Sequence, residues 1–474
     1  MVVPTMELDI GTFRRYAGLS LPRHVSYPMP TWWGELTADE VASLYAESQD
    51  RKQRADLSLY IHVPFCQALC KFCACTREIQ RKDAEGAAER VDAYMRAVER
   101  EIGHLAEAAG GDRVIRQIHW GGGSPTYLEA ETIARVHKTI EDSFSVACDA
   151  EVAIEIDPRT CPPDKLRGLR TIGFNRVSMG VQDFNRQVQE HVRRVQPFEL
   201  VCDTVAVCRE LGFDSVNFDL IYGLPYQTVA TIEDTVERTI SLSPDRVAYY
   251  HYAQIPDRIA TQRGMDYTRL PDSETKLEMF LRGGKLFESA GYEFIGLDHY
   301  AKPHEALAQA KRSGTLQRNF QGMTTGGGLD MLAAGASSIG HLTAIAFLQN
   351  HHDVDEYIAC VAHGGLPVRR GKRFTRDDLI RQTVINQLYC YGVITPGAVE
   401  QRFGIEFSTY FARELSVMEE LERDGLVEVG RHGAIRVTFP LGRVLLRNVA
   451  AVIDAYLEPD AYRVGDRNCF SANA

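Results

Sequence analysis

The chain has 474 residues, 45% hydrophobic and 25% charged, a globular composition that excludes a disordered, collagen-like or coiled-coil protein. Asp and Glu number 64 against 53 Lys and Arg, a net charge of −11. Bulk attraction to nucleic acid or to anionic lipid is therefore not expected, and any basic site must be local.

The residues from Met1 to Asp9 show no basic stretch followed by an apolar run, so no secretory signal is expected. The first fifty or so residues lack strong periodicity and read as an arm lying on the main body. They carry Arg23-His24-Val25-Ser26-Tyr27-Pro28, the pair Trp32-Trp33, and a capping box at Thr37 and Glu40 that predicts a helix start. From Leu57 short β-branched runs alternate with amphipathic segments. Strands are predicted at Leu57–Val63, Val114–His119, Glu151–Ile156, Arg176–Val181, Ser215–Ile221 and Arg246–Tyr252. Helices are predicted at Glu85–Ala109, Glu129–Ser143, Pro163–Ile172, Asn185–Val192, Phe198–Leu211, Thr228–Leu242 and Ser273–Ala290, the last leading to an added strand at Tyr292–Leu297. Such alternation is the signature of an α/β fold with a parallel sheet, and six units suit a partial (β/α)6 barrel better than a closed eight-unit one.

Met331 to Leu348 is the most membrane-like stretch, but Gly335, Ser337, Ser338, Gly340 and His341 interrupt it, so it reads as buried core and no membrane association is expected. After about Arg370 helices dominate, at Arg376–Cys390, Pro396–Phe403, Phe411–Asp424 and Arg443–Leu457. A small hairpin, Gly425–Val429 with Ala434–Thr438, makes this a mainly helical, winged-helix-like domain. The acidic run Glu419, Glu420, Glu422 and Asp424 argues against nucleic acid there. The expected division is an arm at 1–50, a barrel at 51–300, a barrel extension and connection at 301–370, and the helical domain at 371–474.

Seven of the eleven cysteines are scattered: Cys148, Cys161, Cys202, Cys208, Cys360, Cys390 and Cys469. They read as reduced packing residues of a cytoplasmic protein. The other four stand together as Cys66-x3-Cys70-x2-Cys73-x-Cys75, just after the first strand. Three thiolates on one tight loop can each hold one iron of a four-iron cluster, leaving the fourth iron open to a small molecule. Zinc prefers two separated ligand pairs, and the polar flanks Lys71 and Arg77 speak against simple core cysteines. Spacing leaves open which of Cys73 and Cys75 is the third ligand.

Cys66, Cys70 and Cys73 resemble the signature of the radical S-adenosylmethionine (SAM) enzymes. With Cys75, the chain is similar over nearly its whole length to the oxygen-independent coproporphyrinogen III oxidases. The shared stretches include Ile118-His-Trp-Gly-Gly-Gly-Ser-Pro-Thr-Tyr-Leu128, Glu155-Ile-Asp-Pro-Arg159, Gly173–Phe184, Asp219-Leu-Ile-Tyr-Gly-Leu-Pro225, Gly296-Leu-Asp-His-Tyr-Ala301 and Arg318-Asn-Phe-Gln-Gly322. The resemblance implies a radical SAM barrel, a [4Fe-4S] cluster held by Cys66, Cys70 and Cys73, and one or two SAM molecules. It implies that Gly122, Gly123 and Ser124 hold the amino and carboxylate end of SAM, and that Glu155, Gln182 and Arg194 meet its polar groups, with Arg193 a rival for Arg194. Asp219 would meet ribose hydroxyls or a second SAM. Tyr60, Phe72, Ile221, Ala253 and Ile339 would line the cofactor.

The reaction implied is oxidative decarboxylation of two propionates of coproporphyrinogen III, giving protoporphyrinogen IX through a 5′-deoxyadenosyl radical, with electrons from a flavodoxin or ferredoxin and a monomeric enzyme. A substrate with four carboxylates needs a basic patch, for which Arg23 and Arg318 are candidates. Ala74, Gln254, Met323 and the pair His24-Val25 depart from the commonest oxidase pattern. Two other readings stay open: a related methyltransferase or cyclopropanase using two SAM molecules, and a haem-binding chaperone.

Overall fold

The computed structural model describes residues 9–19, 21–50 and 54–457; Cys469 and the start of the chain up to residue 8 lie outside the described residues. The arm carries α1 (Ile10–Ala17), the two-residue strand β1 (Gly34–Glu35) and α2 (Ala38–Gln49), which starts at the expected Thr37–Glu40 capping box. Helix α1 escaped the sequence reading because eight residues give barely two turns of periodicity. Its Phe13 and Ala17 are buried in the C-terminal core.

Six parallel strands form the centre: β2 (Leu57–Val63), β5 (Val114–Gly122), β6 (Ser145–Ile156), β7 (Arg176–Gln182), β8 (Ser215–Tyr222) and β9 (Arg246–His251). Between β2 and β5 lie the short parallel pair β3 (Phe65–Cys66) and β4 (Glu78–Ile79), then α3 (Ala87–Ala109). The other crossovers are α4 (Ala130–Ser143), α5 (Pro163–Ile172), α6 (Arg186–His191) with α7 (Phe198–Glu210), and α8 (Val229–Leu242). The period-2 pattern explains the layering. Leu57, Leu59, Ile61 and Val63 face the helices and are fully buried, while Ser58, Tyr60 and His62 face the other way. The same alternation puts Gln117, His119, Glu155, Ser178, Asp219 and Tyr250 on the inner face.

The sheet runs beyond the six expected strands. After α9 (Ser273–Ser289), β10 (Glu293–Gly296) and β11 (His299–Ala301) extend one edge antiparallel, with β11 against β9. Helix α10 (Ala306–Ser313) and the hairpin β12 (Gln317–Asn319) and β13 (Gly322–Thr324) follow. On the other edge β14 (Asp330–Ala334) adds in parallel to β2, and β15 (Ile339–Leu342), β16 (Ala346–Asn350) and β17 (Val368–Arg373) continue antiparallel to β1. The result is an open thirteen-stranded sheet. The stretch Met331 to Leu348 is thus buried, as three strands; among the described residues no helix is long and apolar enough to cross a membrane. Helix α11 (Val354–Ala362) packs on α3.

The C-terminal region contains α12 (Arg376–Tyr391), β18 (Val393–Ile394), α13 (Pro396–Phe403), α14 (Phe407–Tyr410), α15 (Ala412–Arg423), β19 (Val427–Val429) and β20 (Ile435–Val437). The hairpin gains β18 as a third strand, in the order β18-β20-β19. The single helix expected over Arg443–Leu457 is two, α16 (Leu441–Val444) and α17 (Leu446–Ile453). Leu445, fully buried, leaves helical geometry between them.

Candidate functional site

The cysteine loop leaves the C-terminal end of β2. Its two ends are clasped by the β3–β4 pair and by Gln80 N donating to Cys66 O at 2.9 Å. Cys70 is buried, Cys66 and Cys73 are half-buried and Cys75 is exposed. Burial, and then the neighbouring Cys73 and Cys70, push the Cys66 thiol up to about 12. The Cys75 thiol beside Cys73 holds the latter down at about 6. Two guanidinium groups reach Cys70 Sγ: Arg194 Nη1 at 3.7 Å and Arg159 Nη2 at 3.9 Å.

Both arginines share one carboxylate. Asp157 Oδ2 accepts from Arg159 Nη2 at 2.6 Å and from Arg194 Nη1 at 3.2 Å. Burial works against ionisation of Asp157, but Arg194 and then Arg159 outweigh it and hold the carboxyl at about 2. Arg194 is further fixed by donating to Gly180 O from Nε at 3.0 Å and Nη2 at 2.7 Å. Arg193, its rival, is exposed with φ at +57°, so Arg194 is the one turned to the loop.

The glycine loop ends β5 as the resemblance implied. Gly123 N donates to Val63 O and Ser124 N to Phe65 O, at 2.8 and 3.0 Å. No side chain fits on these glycines. A Cβ on Gly121 would lie 2.9 Å from Glu155 Oε1, and one on Gly123 would lie 2.5 Å from Pro64 O. Without side chains the loop backbone lies close against Pro64, His62 and Glu155, and its own N–H groups are paired within the chain. Gly122 N donates to Glu155 Oε2 at 3.2 Å. Glu155 is no buried salt bridge: its side chain is 43% exposed to the cavity and its ionic neighbour is His119, at 3.4 Å. Tyr60 stacks on His119 and its hydroxyl lies 3.0 Å from His62 Nδ1. Burial, the leading cause, lowers His62 to about 4, so it is neutral at pH 7.

Asp219 lines the same cavity as Glu155, with His119, Ser178 and Tyr250. It accepts from Asn217 Nδ2 at 3.0 Å and Ser178 Oγ at 3.4 Å. Burial, then the Glu155 charge, push it up to about 6. Phe72 and Ile221 pack against one apolar cluster of Val188, Val192, Leu224, Tyr252 and Met265. Buried Gln262 donates to both Phe72 O and Ala253 O, tying the cysteine loop to the segment after β9. Gln182 sits beside Arg194 at the end of β7, in left-handed backbone with φ at +68°. Three candidates stand elsewhere. Ile339 lies in an aromatic cluster with Trp33 and Phe347. Arg23 pairs with Asp298 at 2.5 Å, and Arg318 donates to His24 O at 3.3 Å.

Sequence reasoning quoted Asp157 and Arg159 without giving them a role. The signal was an acid–base pair just past the C-terminal end of a parallel strand, where ligands of open α/β sheets bind. Gln262 left no such signal.

The donor set fits an iron–sulfur cluster. Among the described residues no three His, Cys, Asp or Glu side chains converge on one metal ion. Three thiolates that each serve a separate iron need no such convergence, and Arg159 with Arg194 supplies positive charge beside them.

Residues 60–239 match the model of the Radical SAM superfamily. Over 461 residues the chain is 40% identical to the oxygen-independent coproporphyrinogen III oxidase of Escherichia coli K12, covering 97% of this chain and 98% of that one. The Salmonella typhimurium protein of the same description is 40% identical over 456 residues, 96% of this chain and 97% of its own length. The chain belongs to the oxygen-independent coproporphyrinogen III oxidase family. The solved coproporphyrinogen III oxidase (HemN) of Escherichia coli, described as a radical SAM enzyme, superposes with a TM-score of 0.86 at 39% identity, over 93% of this chain and all of that one. Members of this family are radical SAM oxidoreductases, and their cofactors are a [4Fe-4S] cluster and SAM.

Proposed function

We propose that this chain converts coproporphyrinogen III to protoporphyrinogen IX by oxidative decarboxylation of two propionate side chains. The observation that carries the reading is kinship along almost the whole chain with oxidases of that description, the arm and C-terminal region included. When bound, the cluster and SAM supply the one-electron chemistry that takes hydrogen from an unreactive carbon. Cys66, Cys70 and Cys73 hold the cluster, and Arg159 and Arg194 balance its charge. Gly122, Gly123 and Ser124 let the carboxylate end of SAM approach the backbone closely, while Glu155 and Gln182 face its amino end. Asp219 takes hydroxyl groups, whose hydrogen bonds its carboxylate oxygens accept. Tyr60, Phe72, Ile221 and Ala253 keep water from the reacting carbon. Arg23 and Arg318 hold substrate carboxylates.

The same reading divides the chain into an arm at 1–50 that covers the active site, a barrel at 51–300, a connection at 301–370 and a helical domain at 371–474. A cytoplasmic location is supported by the cysteines, every one of which is free among the described residues. The reading as a monomer rests on the scatter of the exposed large apolar side chains, Trp32, Ile79, Val429 and Phe439. The electron donor is a flavodoxin or ferredoxin.

Anaerobic reconstitution with iron and sulfide, followed by dithionite, SAM and coproporphyrinogen III, tests the reaction. The expected result is porphyrinogen-dependent 5′-deoxyadenosine, with two carbon dioxide molecules released per protoporphyrinogen. S-adenosylhomocysteine in place of carbon dioxide would make the chain a methyltransferase. Absence of SAM cleavage would leave a binding role.

A further inference from the structure

A small cavity lies at the junction of the arm, α9, the β10–β11 turn and α16–α17. Its walls hold four cations, Arg23, Lys276, Arg443 and Arg447, with His251, and a single carboxylate, Asp298. Asp298 is already engaged, by Arg23 at 2.5 Å and by His299 Nδ1 at 2.7 Å. Arg443 is held by Glu288 at 3.0 Å and by Tyr300. Lys276 has no hydrogen-bond acceptor and no ion pair for its ammonium group among the described residues. His251 Nε2 is buried and without a partner. The Lys276 stem and the His251 ring meet over Gly223, each 3.5 Å from the point where a Cβ would stand.

This arrangement is costly in the free protein. Arg447 is buried, Lys276, Arg23 and Arg443 are half-buried, and like charges crowd together there. Burial, and then Arg23, lower the Arg447 guanidinium to about 9, although it donates to the carbonyls of Leu21 and Pro22. An incoming anion would relieve both the repulsion and the unpaired donors. The cavity measures about 40 Å³. That is room for one carboxylate and far too little for a macrocycle. It also adjoins the central cavity, because Arg23 in its wall lies 5.6 Å from the centroid of the Tyr250 ring, which lines the space shared by Glu155 and Asp219.

We infer that this cavity is a carboxylate subsite that receives one propionate of the substrate, with Lys276 and His251 Nε2–H as its donors and Arg23 and Arg447 as its positive rear wall. The inference rests on the tetracarboxylate substrate proposed above. It assigns Lys276, on a helix outside the barrel strands, a part in substrate choice.

The test uses reconstituted holoenzyme and titration with coproporphyrin III, the oxidised fluorescent analogue, alongside KM for coproporphyrinogen III. Lys276→Gln is expected to weaken coproporphyrin binding about tenfold and to raise KM in step, Lys276→Glu to weaken it about a hundredfold, and Lys276→Arg to stay within about twofold of the native chain. Lys285→Gln, exposed on the same helix, is the control and leaves binding unchanged. Iron content and urea midpoint verify that each variant is folded. Native binding by Lys276→Glu, in a preparation whose unsubstituted chain binds and turns over the substrate, overturns the subsite alone. A folded, SAM-cleaving unsubstituted chain that neither binds coproporphyrin III nor decarboxylates the porphyrinogen overturns the substrate reading, and the subsite with it.

Discussion

Arginines gather at two places around the barrel, and the two are built on opposite terms. At the cluster end Arg159 and Arg194 share Asp157, and Arg194 also takes the Gly180 carbonyl, so its cations are satisfied by the chain itself. At the arm end Arg23, Lys276, Arg443 and Arg447 line a cavity with one carboxylate among them. The first arrangement suits a resident group of small net charge that must sit in one place. In the second, Arg23 has Asp298 and Arg443 has Glu288, and Lys276 is left without an ion pair among the described residues. The overall charge of −11 sharpens the contrast, because it makes a local excess of cations a construction and not a background.

The largest expected effect lies in the cysteine loop. Cys70→Ser, like Cys66→Ser and Cys73→Ser, should abolish iron incorporation and all SAM cleavage, whereas Cys75→Ser should keep iron content near that of the native chain. Iron and sulfide analysis after reconstitution checks both. Loss of the cluster in Cys75→Ser with retention in Cys73→Ser would reassign the third ligand.

Next comes Asp157→Asn, which takes the shared acid from two half-buried guanidinium groups and leaves Arg194 only the Gly180 carbonyl. A loss of about 3–5 kcal/mol is expected. The pH dependence follows from the depressed carboxyl, about 2 in the folded chain against an ordinary 3.8. The stabilisation it gives, about 2 kcal/mol, is present above the unfolded value and is lost as pH falls through the folded one. The gap between the urea midpoints of the two proteins should therefore be widest above pH 4 and narrow by about 2 kcal/mol as pH drops through 2. A constant gap would mean that Asp157 acts by shape and not by charge.

Asp219→Asn should have the opposite sign. Its folded pKa is raised, to about 6 from 3.8, so its contribution is fully present below the unfolded value and is lost as pH rises through 6. Ionised Asp219 beside Glu155 costs the free chain about 3 kcal/mol at pH 8. The asparagine variant is expected to be more stable by that order at pH 8 and equal at pH 4, while binding SAM more weakly. Equal stability at pH 8 would show that the cavity is wetter than its burial implies.

How much of each place could be read in the sequence follows from how it is assembled. The cluster end is made of short contiguous runs, each at the end of one parallel strand: Cys66–Cys75, Gly121–Ser124, Glu155–Arg159 and Gln182. Period-2 alternation places such strand ends side by side, so the order of motifs along the chain already gave the site. The arm end draws Arg23, Lys276, Asp298, Arg443 and Arg447 from segments that span more than four hundred positions of the chain. They meet because Phe13, Ala17 and Tyr27 are buried in the C-terminal core and draw the arm across the barrel edge. No local pattern encodes that packing. Arg23 was legible only through a resemblance, and Lys276 and Arg447 were not legible at all. The edge strands β14 to β17 were missed for a related reason, since their partners are set by distant pairings rather than by their own periodicity.

The smallest expected effect is the most pointed test of the contrast. Arg23→Gln removes the partner of a buried carboxylate, Asp298, and relieves Arg447 of its leading like-charge repulsion. The two changes oppose one another, and His299 remains to hold Asp298. The urea midpoint of the free chain should therefore shift by less than about 1 kcal/mol, well below the cost expected for Asp157→Asn. With coproporphyrin III present the gap should open, because a ligand stabilises in proportion to how tightly the folded chain binds it. A large destabilisation of the free chain by Arg23→Gln would show that the arm-end cations are already satisfied, and that the two ends of the barrel differ in place but not in kind.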